Sequence, residues 1–289
     1  MKTDISIVVP VYNYATHLRK TLLSLKQQSV NDFEIIVVDD GSTDNSAEVA
    51  RSLADRVIIN KKNSGPAISR NKAIKQAKGE IIAFLDSDCI ADKDWIRNII
   101  DSLEDIRVDA VMGNTKIPKS TFIGNSISEL GFPGGANAGF ENMWRVDKNG
   151  FTDHITSCNF AARKRIFDKF GLFDESFPLA GGEDPELSYR WSRRGVKIKY
   201  SPIIIVFHEP RTSLISFAKW MIYRGRSNYY FKKKMGMIKG FVKLRIWSSR
   251  NIIKKNIFSP KIITVVPLLI ISFIFQEIGY ILESIEKKN

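Results

Sequence analysis

Cysteine and histidine are scarce in this 289-residue chain, which has two Cys, Cys89 and Cys158, and three His. Two cysteines so far apart make no disulfide framework and no cysteine-based zinc pattern, which favours a reducing compartment. No internal repeat is visible, so nothing suggests a solenoid or propeller. Asp4 and a nearly uncharged lead-in precede the apolar run Ile5 to Val11. That start does not read as a secretory signal peptide. Long hydrophobic runs are also missing. Ile262 to Phe275 is uncharged and apolar but short for a membrane span; it reads as an interfacial hairpin, a tilted span or a partner-binding helix, with membrane contact favoured by its basic flank. Pro267 is expected to kink it, and Gln276 and Glu277 interrupt its continuation to Leu282.

Acidic residues are absent from one region altogether. Residues 1–209 hold 28 Lys and Arg against 28 Asp and Glu, whereas residues 210–276 hold 14 Lys and Arg and no acid. The net charge of +13 therefore comes from a basic C-terminal extension on a neutral body. Such an extension is an electrostatic docking surface, and Trp and Phe among its basic residues suit an anionic membrane interface. It carries no nucleic-acid-binding signature. The body is 44% hydrophobic and 26% charged over the whole chain, a globular balance.

The first 112 residues alternate strand-like and helix-like segments. Strands are expected at Ile5–Val11, Phe33–Val38, Arg56–Ile59, Ile81–Leu85 and Val108–Met112. Between them, Leu18, Leu22 and Leu25 recur at helical spacing, Asp44 caps a helix to about Leu53, and Pro66 opens another. This pattern predicts an α/β fold with a mainly parallel sheet and ligands at the carboxyl ends of its strands. Residues 113–150, rich in Gly, Asn and Ser, read as a long loop able to act as a mobile lid. Order resumes at Asn159–Ala162, with helices near Lys164–Phe170 and Pro185–Arg194 and a strand over Lys197–Phe207. The expected units are a nucleotide-binding half (1–112), a second half (113–209) and the basic helical extension (210–289).

The most informative stretch is Ile81 to Asp88, an apolar strand ending in Asp86-Ser87-Asp88. Alternate residues of a strand share a face, so the two carboxylates are able to point together. Like charges at a buried strand end need neutralising, and a divalent cation bound to a phosphorylated ligand does so. Other motifs also fall at strand ends: Val9-Pro10-Val11-Tyr12-Asn13, Asp39-Asp40-Gly41-Ser42, and Asn63-Ser64-Gly65-Pro66 running into Arg70. In the second half, Gly181-Gly182 precede Glu183-Asp184-Pro185, which alone reads as a capped helix start.

Taken together and in this order, these motifs resemble those of glycosyltransferase family 2 over residues 5 to about 208. The resemblance implies the GT-A fold and an inverting transfer from a nucleoside-diphosphate sugar, UDP being favoured by family frequency alone. By resemblance, Pro10, Tyr12, Asn13, Asp39, Asp40, Gly65, Arg70, Asp86, Ser87 and Arg224 belong to the nucleotide-sugar site. Asp88, Asp86 and His208 are the implied ligands of Mn²⁺ or Mg²⁺. Asp184 is the implied general base, Glu183 its neighbour in the catalytic pair, and Asn159 an acceptor-side residue. The implied acceptor is a glycan or lipid-linked hydroxyl at the cytoplasmic face of a membrane, in cell-envelope or surface polysaccharide synthesis. The Gln-x-x-Arg-Trp motif of the family's processive synthases is absent. A polyprenyl-phosphate acceptor would leave Asp184 without a task, since a phosphate nucleophile needs no base. A nucleotidyltransferase is disfavoured because no glycine-rich basic loop follows Val11. A membrane-binding module with a degenerate donor site is disfavoured by intact Asp86, Asp88 and Asp184.

Overall fold

The computed structural model describes residues 5–236 and 241–288. Its elements are, in chain order, β1 (Ile5–Val11), α1 (Ala15–Lys26), β2 (Phe33–Asp39), α2 (Ser46–Leu53), β3 (Arg56–Ile59), α3 (Pro66–Gln76), β4 (Ile81–Leu85), β5 (Cys89–Ala91) and α4 (Trp95–Ser102). Then come β6 (Ala110–Lys116), α5 (Phe122–Ser128), α6 (Phe140–Met143), β7 (Phe151–Thr152), β8 (Asn159–Arg163), α7 (Lys164–Phe170), α8 (Glu183–Ser192) and β9 (Ile198–His208). Three helices follow, α9 (Leu214–Met235), α10 (Phe241–Asn256) and α11 (Ile262–Glu286).

The strand order is β3-β2-β1-β4-β8-β6-β9-β5, with β7 also on β9. The N-terminal strands β1 to β4 pair in parallel, as the alternating pattern requires. The second half departs from the expected parallel arrangement: β8 runs antiparallel between β4 and β6, and β5 pairs antiparallel with the end of β9. This last pairing is decisive for the site, because it sets Cys89 opposite His208 and brings Asp88 beside the histidine.

Strand alternation divides the core into two layers. From β1, Ile5, Ile7, Val9 and Val11 pack towards α1, α2 and α4, while Val8 packs on the other face with α3, α7 and α8. Each face buries branched aliphatic and aromatic side chains, so the strand ends carrying the polar motifs are held rigidly.

Residues 113–150 are not a lid. Ile127, Leu130, Phe132, Ala138 and Met143 form a third apolar core with Phe217, Met221, Ile252, Val265 and Leu268 of the C-terminal helices. The extension is thereby an integral part of the fold. α11 also runs further than its composition suggests, through Gln276 and Glu277 to Glu286, with Pro267 inside it. Gln276 does not stop the helix because it faces α9, where Asn228 donates to its Oε1 at 3.3 Å. Glu283 is likewise buried and accepts from Arg226 and from the Tyr230 hydroxyl.

Glycine sets how closely α9 and α11 approach. A Cβ on Gly279 would lie 2.0 Å from the carbonyl oxygen of Ile222, and one on Gly225 2.0 Å from that of Gln276. Backbone cannot yield locally to such a contact, so the helices would separate and the third core would loosen. Gly279→Val is therefore expected to cost about 3 kcal/mol, measurable as a lowered urea midpoint. An unchanged midpoint would mean that the two helices do not pack this way.

Candidate active site

The candidate site lies at the carboxyl ends of β1, β2 and β4, closed by the end of β9 and the start of α8. Each strand end passes into a turn because its polar side chains satisfy the turn's own backbone. Asn13 adopts a left-handed backbone (φ 50°), and its side-chain oxygen accepts from the N–H of Thr43 at 2.7 Å. Asp39 accepts from the N–H of Ser42 at 2.8 Å. Tyr12 stands exposed at the rim. Pro10 pairs with Val38, one position before the last β1–β2 register pair, Val11 with Asp39.

Asp39 and Asp40, both assigned to the nucleotide-sugar site by resemblance, have different surroundings. Asp40 is consumed by the protein: it accepts from Asn60 at 2.6 Å, from the Ser64 N–H at 3.0 Å and from the Gly65 N–H at 2.8 Å. It shapes the loop before α3. Asp39 has one oxygen bound to Ser42, and no hydrogen bond to the other is found among the described residues. Gly65 is required by its φ of +91° and by the carbonyl of Pro178, 2.6 Å from where a Cβ would sit. Its close approach is thus to the chain itself.

Arg70 ties the two halves together. It is 3% exposed; Nη2 donates to Asp86 at 3.0 Å and Nη1 to Glu183 at 2.7 Å. Burial pulls its pKa down, but Asp86, Glu183 and Asp184 outweigh this and raise it. It is a fixed cation. Asp86 responds in turn: burial raises its pKa, and Arg70 opposes the rise. Glu183 spends its other oxygen on the N–H groups of Gly181 and Gly182, at 2.8 and 3.0 Å. Glu183 is therefore a positioning group with no oxygen free of hydrogen bonds.

Asp184 differs from its neighbour. It is buried, and one oxygen accepts from the Ser157 N–H at 3.1 Å. Burial, and next the charge of Glu183, push its pKa up to about 7, against the opposing pull of the Ser157 N–H, Arg70 and Arg224. A carboxylate poised near neutrality is suited to general-base work.

Asp88, Cys89 and His208 gather their ligand atoms within 4.8 Å of one another. His208 Nε2 lies 3.4 Å from Asp88 Oδ2, and its Nδ1 is 3.0 Å from the Glu209 carbonyl oxygen. A proton on Nδ1 satisfies that carbonyl and turns the Nε2 lone pair towards the carboxylate. Two electron-pair donors facing each other suit a cation between them, so the donor set fits Mn²⁺ or Mg²⁺. Asp86 stands outside this cluster, held by Arg70. Ser87 connects the two aspartates, and its carbonyl accepts from Thr21 at 2.9 Å.

Two of the expected residues lie away from the Asp88 and His208 pair. Asn159 is fully buried, accepting from Trp95 at 2.8 Å and donating to the carbonyls of Asn114 and Ile204. Its polar atoms hold β8 against β6 and β9, leaving none for an acceptor. Arg224 packs over Phe132, 4.6 Å from the ring centroid, on the side of Asp184 rather than of Asp88. Its charged neighbours are Asp184, Glu183 and Arg211.

The glycosyl transferase family 2 model matches residues 6–171. The chain belongs to glycosyltransferase family 2. It is 27% identical over 209 residues to the glycosyltransferase AglE of Haloferax volcanii, covering 68% of this chain and 62% of that one. It is 29% identical over 236 residues to a chondroitin synthase of Escherichia coli, covering 71% of this chain and 34% of the synthase. The matched region thus spans only about one to two thirds of these curated relatives. The fold is that of the Pyrobaculum calidifontis mannosyltransferase PcManGT, solved with GDP-Man and Mn²⁺: TM-score 0.65, 18% identity, 94% of this chain and 86% of that one. The S. aureus TarS fragment solved with UDP superposes with a TM-score of 0.54 at 18% identity, covering 99% and 91%. The architecture is accordingly GT-A.

Several residues at this family 2 site had no signal in the motifs. Arg211, three positions after His208, is the arginine that feels the charge of Asp88, and burial lowers its pKa. Its guanidinium packs 4.2 Å from the Trp220 ring centroid, and its Nε is buried without a hydrogen-bond partner. Ser157 is known only by its bond to Asp184. The available signal for Arg211 was its spacing from His208 across Pro210.

Proposed function

We propose that this enzyme transfers a sugar, with inversion, from a nucleoside diphosphate to a hydroxyl acceptor, with Asp184 as the base. The observation that carries this reading is the Arg70 bridge. One buried guanidinium fixes the donor-side Asp86 and the base-side Glu183, and so holds Asp184 opposite the strand-end carboxylates. In the step, Asp184 takes the acceptor hydroxyl proton and the oxygen bonds the anomeric carbon from the open face. The bond from that carbon to the diphosphate oxygen breaks, and the nucleoside diphosphate leaves with the electron pair. Mn²⁺ or Mg²⁺ held by Asp88 and His208, with Asp86 nearby, supplies Lewis-acid neutralisation of the diphosphate. Arg211 adds a fixed positive charge on the same side. Asp39, Tyr12, Pro10 and Asn13 form the nucleoside end, and UDP remains the favoured nucleotide. Residues 1–112 serve the donor and 113–209 the base and acceptor.

A hydroxyl acceptor is favoured over a polyprenyl-phosphate nucleophile because burial keeps Asp184 basic near neutral pH. A thermal-shift screen of the full chain with nucleotide sugars and Mn²⁺ tests the reading. A UDP-sugar is expected to raise Tm in the presence of the metal and far less in EDTA. No shift from any nucleoside diphosphate would reject it.

We also place the enzyme on the surface of an anionic membrane. α11 is the described helix long and apolar enough to cross a bilayer, yet it reads better as lying along one. One face packs on α9 through Leu268, Ser272, Gln276 and Gly279, while Ile263, Ile270, Ile274, Ile281 and Ile285 on the other are each more than half exposed. An apolar stripe beside 14 basic residues is the pattern of an interfacial helix. Such an enzyme would meet lipid-linked or envelope-glycan acceptors at the cytoplasmic face. Replacing Ile270, Ile274 and Ile281 with Glu should cut sedimentation with phosphatidylserine vesicles by about tenfold or more. Equal sedimentation would remove α11 from the account.

A further inference from the structure

A cavity of about 1010 Å³ opens beside the base, between α8 and the three C-terminal helices. Gly181 and Pro185, which bracket Glu183 and Asp184 in sequence, lie in its wall. Its charged lining is unbalanced: Arg145, Arg224, Lys243, Arg245 and Arg250 face two carboxylates, Asp153 and Glu277. Arg224 and Arg245 both pack on Phe132, with guanidinium carbons 4.6 and 5.2 Å from its centroid. Burial and then the charge of Arg224 bring the pKa of Arg245 down to about 10. Neither side chain hydrogen-bonds to an acceptor among the described residues, and Arg224 Nε is buried unpartnered.

The remaining lining adds one more unpartnered donor and no further positive charge. Trp144 presents another buried, unpartnered N–H. His154, stacked on Trp144 at 3.4 Å, is held neutral because burial, then Arg224, push its pKa down to about 3. Asp184 and Glu183 attract Arg224 at a distance, but neither guanidinium is hydrogen-bonded among the described residues, and two such groups held close together are costly unless an anion completes the site. Planar guanidinium pairs match phosphate oxygens in particular. The other walls are apolar, from Phe231, Ile246, Ile253 and Phe273. Two of those residues sit on α10 and one on α11, the helices that carry the exposed apolar surface.

We propose that this cavity holds the phosphate group of an amphiphilic acceptor, a phosphate or diphosphate ester of a hydrocarbon chain. Arg224 and Arg245 grip the phosphate oxygens, the apolar walls take the adjoining chain, and the acceptor hydroxyl reaches Asp184 past Pro185. This rests on the reading of Asp184 as base to a lipid-linked hydroxyl, and it names the group that positions that acceptor. Arg224 and Arg245 are positioning residues, since they touch the acceptor away from the reacting atoms.

The test is equilibrium binding to the full chain in detergent with EDTA and no sugar donor, using farnesyl diphosphate, farnesol and inorganic diphosphate. Farnesyl diphosphate should bind at least about tenfold more tightly than either of the others. Arg245→Gln should lose about tenfold of that affinity, and Asp88→Asn should lose none. Farnesol binding as tightly as its diphosphate would overturn the phosphate site. Inorganic diphosphate binding as tightly would overturn the amphiphile. Tighter binding in Asp88→Asn would mean that the donor site had been probed, since without metal the loss of a carboxylate there favours an anion. If Arg245→Gln does not fold, the wild-type ratio of diphosphate to alcohol decides alone. No metal or donor enters the measurement, so failure here leaves the transfer reading standing, and failure of that reading appears instead in turnover.

Discussion

Asp184→Asn is expected to lower kcat by about 10²- to 10⁴-fold while leaving the donor KM nearly unchanged. An amide is isosteric with the carboxyl and keeps the acceptor oxygen for Ser157, so the site should retain its shape. It cannot take a proton, and only the step that needs one should fail. The same carboxyl sets the pH dependence. Its folded-state pKa, raised to about 7 by burial first and Glu183 second, predicts that kcat/KM falls as pH drops through neutrality. Stability runs the other way. A carboxyl whose pKa is raised on folding stabilises the folded state relative to its charged form only while protonated. Its cost is absent below about pH 4, grows between pH 4 and 7, and is on the order of 4 kcal/mol above pH 7. Asp184→Asn removes that cost. The variant should therefore melt at a higher temperature than wild type at pH 8 and at about the same temperature at pH 4. Near-normal turnover would reject the base. Loss of turnover with no gain in stability at pH 8 would mean that Asp184 is not held in a desolvated site.

The second large effect concerns the cation. Chelation by EDTA is expected to reduce transfer by about 10³-fold or more, with Mn²⁺ or Mg²⁺ restoring it. Asp88→Asn should reproduce the loss, and added metal should not rescue it. The reasoning is electrostatic. Asp88 and His208 present two electron-pair donors 3.4 Å apart, an arrangement that favours a bound positive charge. Asp86, paired with Arg70, contributes less, so Asp86→Asn should retain more metal affinity than Asp88→Asn. Full activity in chelator would contradict this, and equal losses from both substitutions would contradict the division of roles.

Much of this was legible in the sequence because strand periodicity and chain reversals are local. Ile5–Val11, Arg56–Ile59 and Lys164–Phe170 are observed at the bounds the pattern implies. The polar motifs fall at strand ends for the same reason. What escaped depends on contacts between distant segments. The Gly-rich stretch 113–150 looked loose, yet it packs as a core once α9 and α11 cover Phe132 and Leu130. Gln276 looks like an interruption until Asn228 on α9 answers it. Asp39 and Asp40 cannot be distinguished along the chain, because only the fold shows Asn60 and Gly65 saturating Asp40. The exchange of Arg224 for Arg211 on the donor side has a similar origin. Both lie among the basic residues at or just before α9, and only the fold sets Arg211 near Asp88.

The central claim is that the strand-end acid and the histidine of β9 together hold a cation that binds the nucleotide. Electron paramagnetic resonance of Mn²⁺ titrated into the full chain reads this directly. With UDP present, wild type should remove free Mn²⁺ stoichiometrically, while Asp88→Asn and His208→Ala should leave it in solution. Equal uptake by all three proteins, or uptake unaffected by UDP, would contradict it.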